Sequence, residues 1–301
     1  MKMRASPPMQ YGRLERRYFK WVYLFLFPTL VVFLMFYAEP ILVLVRTSFT
    51  KWDGFNEPSF VGIDNYIRLI SNSAASISLK NLLYWAVIAM TLHVGYGVIM
   101  AFIWFYRPAG WQLSRAVFMI PNVISPAAVA LIFRFLLSND VGAVNVLIRN
   151  LLPEFQVQWF FQSPYAFWAV TFTWLFYSVV VSLIVYNDLV AISPSLTEAA
   201  KLDGASGWHL IRHIYLPLCH NSIGTAIICS ITSRIAMYEA IALTTSGGPG
   251  ADTMSLSVLM MRAISDYNYG FANAIGVVMF IFGIIVLVAV NKAFRIGDSD
   301  A

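Results

Sequence analysis

Long apolar runs without charge restrict this chain more than any other feature. The stretches 82–106, 166–187 and 270–291 contain no Asp, Glu, Lys or Arg, and 21–45, 117–137 and 217–245 contain only one or two each. Crossing a hydrocarbon layer of ~30 Å takes about 20 helical residues, so each run is long enough. Backbone N–H and C=O groups in lipid must be satisfied within the protein, which leaves helices or a closed barrel. The runs lack the period-2 alternation of barrel strands. The expectation is an all-α membrane protein with six transmembrane helices. Composition agrees: 59% of residues are hydrophobic and 12% charged, against roughly 25% charged in a soluble domain.

Lys and Arg beside the spans set the orientation. Lys2, Arg4, Arg13, Arg16, Arg17, Lys20, Arg107, Arg115, Lys201, Arg212, Lys292 and Arg295 fall on one side; Arg46, Lys51, Arg68, Lys80, Arg149 and Arg262 fall on the other. The richer side is cytoplasmic, so both termini are expected there, as is the long polar segment 187–216. The net charge of +5 then reads as topology and attraction to anionic lipid, not nucleic-acid binding. Residues 1–20 are a cytoplasmic N-terminal segment, 21–296 the transmembrane domain and 297–301 a cytoplasmic tail. The first 20 residues, with Pro7-Pro8, read either as partly disordered or as lying along the membrane. They form no cleavable signal, because the apolar run is too long and no small-residue cleavage site follows. Cys219 and Cys229 imply no disulfide framework.

Residues 195–216 are a polar, glycine-hinged segment between two apolar ones. Glu198, Lys201, Asp203, His209, Arg212 and His213 keep it out of hydrocarbon, while Ala199, Ala200, Ala205, Trp208, Ile211 and Ile214 form an apolar stripe that wants a docking surface. Thr197 or Ser195 can cap a helix with Glu198 in its first turn, where a carboxylate suits the helix dipole. Gly204 and Gly207 permit a bend before a second short helix leads to Pro217, which starts span five. A plain amphipathic helix on the lipid surface is the competing reading.

Other segments carry turn and breaker signals. Trp52-Asp53-Gly54 reads as a turn, and Ile63 to Ile70 as a short helix with Asp64 near its start. Pro121 and Pro126 bracket Asn122 and Ser125, so span three is expected to kink or break. Thr244 to Gly250 ends span five in a Gly/Pro-dense turn. Trp159, Phe160, Tyr165 and Trp168 suit an interfacial aromatic belt. Gly270, Gly276 and Gly283 allow close helix packing in span six.

Taken together, EAA…DGA…I..I.LP over residues 198–217, "SFT.WDG", "FVGIDNY", "IPNVISPAAVALIFRFLL" and the GGP turn resemble the permease subunits of carbohydrate-type ABC importers, in particular the first of their two permeases. The resemblance covers about residues 20–295. It departs where Ile211 replaces the usual Phe and Ser246 replaces one glycine. It implies a type I importer permease fold in the cytoplasmic (inner) membrane, with Glu198, Ala199, Ala200, Asp203, Gly204, Ala205, Trp208, Ile211, Ile214 and Pro217 coupling the pore to an ATPase. Implied partners are a second, different permease, two ATPase subunits, an extracytoplasmic solute-binding protein and a sugar substrate. Function would proceed by alternating access. No G-x-x-x-x-G-K-[ST] occurs, so ATP and Mg belong on the partner ATPase and this chain binds no cofactor. An importer for amino acids, peptides or phosphate, and a secondary transporter, are the alternatives. An enzyme is not expected, since no catalytic acids, bases or metal ligands cluster in the spans.

Ionisable residues inside spans point to function. Arg134 lies near the outer end of span three and can snorkel. Arg234 lies about 25 Å beyond Pro217 at 1.5 Å per helical residue, too deep to snorkel easily. Its arginine fork suits a carboxylate or phosphate, so it reads either as a substrate contact, favouring an anionic sugar such as a uronate oligosaccharide or sugar phosphate, or as the partner of a neighbouring subunit's group. Tyr238 at i+4 shares its helix face; Glu239 at i+5 does not. Asn122, Thr173, Tyr177, Arg234, Tyr238, Glu239 and Asn273 are the candidate cavity residues. His209, His213 and His220 lack the H-E-x-x-H pattern of a metal site, and His93 is expected to bond between helices.

Overall fold

The computed structural model describes residues 11–294, and its helices account for all six runs. Helix α1 (Tyr11–Phe33) continues through a π turn at Leu34–Ala38 into α2 (Glu39–Ser48). Pro28 lies inside α1 and Pro40 in the first turn of α2, and neither ends the helix. Residues 1–10 and 295–301, with the expected tail and the tip of the N-terminal segment, lie outside the described residues.

Trp21 to Leu30 are all exposed, so the described residues of its own chain leave the first half of this span uncovered. The second half is different: α2 lies along the last helix, α17 (Tyr269–Phe294). Close approach is built in at Gly270, where a Cβ would sit 1.9 Å from the Thr50 carbonyl oxygen. Asn273 Nδ2 donates to Thr47 Oγ1 at 2.6 Å across the same seam.

A short hairpin follows, β1 (Thr50–Lys51) with β2 (Ser59–Phe60), antiparallel with Thr50 opposite Phe60. Its Trp52-Asp53-Gly54 turn is held by Asp53 Oδ1, which accepts the Phe55 and Asn56 N–H groups at 3.0 and 2.9 Å, while Gly54 takes φ +88°. Helix α3 (Asp64–Ser71) follows, close to the short helix expected over Ile63 to Ile70, and packs against α17 and the helix that comes after it. Asn65 Nδ2 ties it to the Ser48 and Thr50 carbonyls, each at 2.9 Å.

Span two starts earlier than its apolar run. Asn72 Oδ1 caps α4 (Ser73–Ile88) by accepting the Ala75 N–H at 3.1 Å, and a π turn at Ala89–His93 joins it to α5 (Val94–Tyr106). Arg107 and Gly110 adopt left-handed backbone and reverse the chain. Span three is α6 (Trp111–Met119), a 3-10 turn at Ile120–Val123 and α7 (Pro126–Leu136), bent by 106°. The two prolines and the Ser125 cap on α7 account for the break.

After α8 (Ala143–Arg149), span four is also broken: α9 (Tyr165–Leu175) and α10 (Val179–Ala191) meet at 41°. No proline or glycine marks that break. Phe160, expected in an aromatic belt, is buried in the core instead. The main core joins α4, α9 and α14 (His220–Ile235) around Trp85, whose Nε1 donates to Thr171 Oγ1 at 3.0 Å and whose ring stacks on Phe167.

The segment before α14 consists of α11 (Pro194–Leu202), α12 (Gly207–Leu210), a π turn at Ile211–Tyr215 and α13 (Leu216–Leu218). Span five therefore does not start at Pro217, which lies within this second helix; the chain bends 69° at Cys219. Nor does the span run to residue 245. It stops at Ile235, and α15 (Glu239–Ala242) is a separate turn. The turn 244–253 follows, with Ser246, Gly247 and Gly250 at positive φ. Then comes α16 (Leu256–Ser265), an apolar helix too short to span, packed between α4 and α17.

Candidate functional site

Two regions concentrate polar chemistry: the bent α11–α12 segment at one end of the bundle, and a cavity where α7, α9 and α14 meet. In the first, Gly204 at φ +87° makes the bend that a residue with a Cβ resists. Helix α11 begins at Pro194 after Ser193, four residues before Glu198, so Glu198 sits mid-helix rather than in a capped first turn. Ala200, Ala205, Ile211 and Ile214 pack towards a cluster of Ala101, Val185, Leu189, Leu210, Tyr215 and Cys219. Leu210 and Tyr215, which the motif did not single out, are each 3% exposed and anchor the segment to α5 and α10. Tyr215 reaches Thr197 Oγ1 through its hydroxyl at 3.2 Å.

The opposite face is bare. Glu198, Ala199, Asp203 and Pro217 are exposed, and Trp208 is 70% exposed where the stripe pattern placed it against the docking surface. Leu202, also on the bare face, is 89% exposed. The apolar residues thus divide: Ala200, Ala205 and two isoleucines seal the segment to its own bundle, while Ala199, Leu202 and Trp208 project away. His209 and His213 stack at 4.1 Å on this outer face. His220 instead ties the start of α14 to the end of α17, its Nε2–H donating to Phe294 O at 2.8 Å while Nδ1 lies 3.1 Å from Pro217 O. Among the described residues no His, Cys, Asp or Glu group has metal-binding geometry.

The cavity, of about 250 Å³, is lined by residues that include Pro126, Val129, Thr173, Trp174, Tyr177, Ser233, Arg234, Met237 and Glu239. The Arg234 guanidinium lies over the Trp174 ring, 4.3 Å from its centroid, and its Nε is enclosed without a hydrogen-bond partner. Tyr177 OH donates to Pro121 O at 2.7 Å and lies 3.3 Å from Asn122 Oδ1, tying α9 to the broken span three beside the cavity. Thr173 turns its hydroxyl onto Val170 O at 2.7 Å. Behind Trp174, the buried His93 donates from Nδ1 to Leu175 O at 3.0 Å, the interhelical bond expected of it.

The break at Ile235 changes which residues meet Arg234. Glu239, which a continuous helix would carry to another face, lines the same cavity. Tyr238, expected on the arginine's face, lines a separate cleft with Ser246, Met261 and Arg262. Asn273 lies outside the cavity, in the α17–α2 seam described above. Arg134 does not end at a snorkelling position free of protein: Nη1 donates to Leu243 O at 3.1 Å. Arg262 Nη2 likewise holds Ser246 O. Two arginines from α7 and α16 thus hold the irregular chain after α15.

Broken spans beside a polar cavity, with a bent helical segment anchored by one face and bare on the other, are compatible with a membrane transport permease. Residues 93–296 match the family described as binding-protein-dependent transport system inner membrane component, and the chain belongs to that family. It is an ABC transporter permease, a transport component rather than an enzyme. Its relatives include the probable ABC transporter permease protein YurN of Bacillus subtilis, 30% identical with 92% of this chain and 97% of the relative covered. The multiple sugar-binding transport system permease protein MsmF of Streptococcus mutans is 28% identical, with 92% and 97% covered. A bacterial ABC transporter involved in import of the acidic polysaccharide alginate has the same fold, with a TM-score of 0.78, 20% identity, and 96% of this chain and 100% of that chain covered.

Proposed function

We propose that this chain is one of two different permeases in an ATP-driven importer of a sugar or oligosaccharide that carries an acidic group. The observation that carries the reading is Arg234, held over Trp174 in the cavity between α7, α9 and α14 with a buried, unpartnered Nε. An arginine in a span is expensive and finds a partner or a wet cavity. A uronate carboxylate or sugar phosphate supplies a partner that matches its planar fork. Support for the sugar class comes from relatives named for sugar transport and from the fold shared with an alginate importer.

Energy enters from a separate ATPase that carries ATP and Mg. The bare face of 194–215 is the surface for it: Glu198, Asp203 and Arg212 fix register, and Leu202 and Trp208 fill apolar recesses. Closure of two ATPases pushes the paired segments together, opening the cavity away from them; hydrolysis resets it. The exposed stretch from Trp21 to Leu30 packs against the second permease and lipid, and a solute-binding protein delivers substrate to the end carrying α3 and the 244–253 turn. In this reading both termini are cytoplasmic, in the inner membrane. Purification in mild detergent tests it. The ATPase is expected to copurify and to hydrolyse ATP faster with the loaded solute-binding protein; a complex without any ATPase overturns it.

A further inference from the structure

The π turn of span two, Ala89–His93, lies beside the break in span four. The residues at its two ends reach different helices. Ala89 O, at the first, accepts a hydrogen bond from Ser230 Oγ of α14 at 3.3 Å. His93, at the last, donates from Nδ1 to Leu175 O of α9 at 3.0 Å. A carbonyl oxygen only accepts, so the imidazole carries its proton on Nδ1. Leu175 is the final residue of α9, and its carbonyl has no partner within that helix. All four residues are buried, none more than 6% exposed.

The same two helices carry the Arg234 site. Arg234 lies one turn beyond Ser230 on nearly the same face of α14, and Trp174 immediately precedes Leu175. The Trp174 ring takes the Arg234 guanidinium at 4.3 Å from its centroid and the His93 ring, edge-on, at 5.7 Å. One turn past His93, Gly97 lets the start of α10 come close: a Cβ there would lie 2.5 Å from Val181 Cγ1 and 3.2 Å from Ser178 Cβ. Both sides of the break in span four are therefore held to span two, Leu175 by His93 and Ser178 by the bare backbone of Gly97.

We propose that His93 is a positioning residue for solute selection. It stands behind Trp174 rather than in the cavity wall. His93 holds the end of α9 to the π turn while Ser230 holds α14 to the same turn. Trp174 is thereby fixed under the guanidinium, and the fork is aimed. The inference deepens the reading of Arg234 as the contact for an acidic group and rests on it. A fork that meets a carboxylate at two points must be placed within about 0.5 Å. Without the His93 donor, Leu175 O is buried and unpaired, and the last turn of α9 moves to find a partner. Trp174 moves with it, and the guanidinium loses its seat. Sugar hydroxyls, met at single points, depend less on that aim.

Uptake by proteoliposomes holding the whole complex tests this, with acidic and neutral oligosaccharides of equal length. His93→Leu fills the space and removes the donor. It should raise the half-saturating concentration of the acidic solute about tenfold and that of the neutral one less than about twofold. His93→Asn retains an amide donor near the place of Nδ1 and should recover most of the loss. In an Arg234→Gln background His93→Leu should add nothing, because the two changes act through one contact. Should His93→Leu fail to assemble, His93→Gln takes its place: its amide lies at the reach of Nε2, misses Leu175 O and should give the same acid-selective loss. Equal shifts for both solutes, wild-type kinetics, or full additivity with Arg234→Gln overturns the positioning role. If Arg234→Gln alone still weakens acidic uptake selectively, the reading of Arg234 survives that result; if it does not, both fall.

Discussion

Replacing Arg234 with Gln keeps a polar side chain of similar reach and removes the charge and the fork. A hydrogen bond to a charged group contributes about 1.5–3 kcal/mol, and every 1.4 kcal/mol is about tenfold in affinity. Losing one such contact should raise the half-saturating concentration of an acidic oligosaccharide about 10- to 150-fold. A neutral oligosaccharide of the same length should change little. The cavity wall itself also contributes, because the guanidinium 4.3 Å above Trp174 adds a cation–π contact of about 2 kcal/mol when desolvated. Arg234→Lys separates the two contributions: it keeps a charge for the ring and for the substrate, and loses only the bidentate geometry. Uptake of radiolabelled acidic and neutral oligosaccharides by proteoliposomes holding the whole complex gives both constants. The expected order for the acidic solute is wild type, then Lys, then Gln. Equal losses for acidic and neutral solutes, or wild-type kinetics in the Gln variant, would refute the assignment.

Other perturbations follow from the packing. Gly270→Ala places a methyl 1.9 Å from Thr50 O, so α17 must shift from the hairpin; overpacking costs about 1–3 kcal/mol, read as a lower melting temperature in detergent. Thr171→Val leaves the Trp85 Nε1 donor buried and unpaired, at about 1–3 kcal/mol, and should show the same readout with unchanged ATPase binding. Trp208→Ala and Leu202→Ala each remove a projecting apolar group; burial of such a side chain contributes about 1.5–3 kcal/mol, so ATPase affinity, measured by titration on immobilised permease, should fall about tenfold or more. Asp53 is held down to about 2, below 3.8 for the free side chain, first by the Asn56 backbone N–H and then by that of Phe55 and the Asn56 amide. Its support of the turn is therefore whole above about pH 3.8 and disappears as pH falls through about 2. Hydrogen exchange at the Phe55 and Asn56 amides should lose protection over that window, and protection independent of pH would contradict it.

The apolar runs made the number of spans legible, and Asp64, the WDG turn and the prolines of span three placed three local features where they occur. Other breaks left no mark. Span four divides at Phe176–Ser178 and span five at Ala236–Tyr238 without glycine or proline, because there the tertiary packing rather than local chemistry terminates the helix. The second of these breaks moved Glu239 into the cavity and Tyr238 out of it, reversing an inference from helical spacing. Helix α16 was hidden because ten apolar residues are too few to span and look like a loop beside longer runs. In the α11–α12 segment the residue types were readable but their faces were not. A stripe of Ala, Ile and Trp does not reveal that Ala200, Ala205, Ile211 and Ile214 seal inward while Ala199 and Trp208 point out, since Leu210 and Tyr215 supply the anchor.

Transmission through the bent 194–215 segment is most directly tested by uncoupling it. Leu202→Asp with Trp208→Asp leaves the inward anchors Ala200, Leu210 and Tyr215 untouched, so the bundle should fold and melt as before. In proteoliposomes with the ATPases and the solute-binding protein supplied, binding-protein-stimulated hydrolysis and uptake should vanish together. Undiminished uptake, still in fixed proportion to ATP consumed, would mean that force reaches the pore by another route.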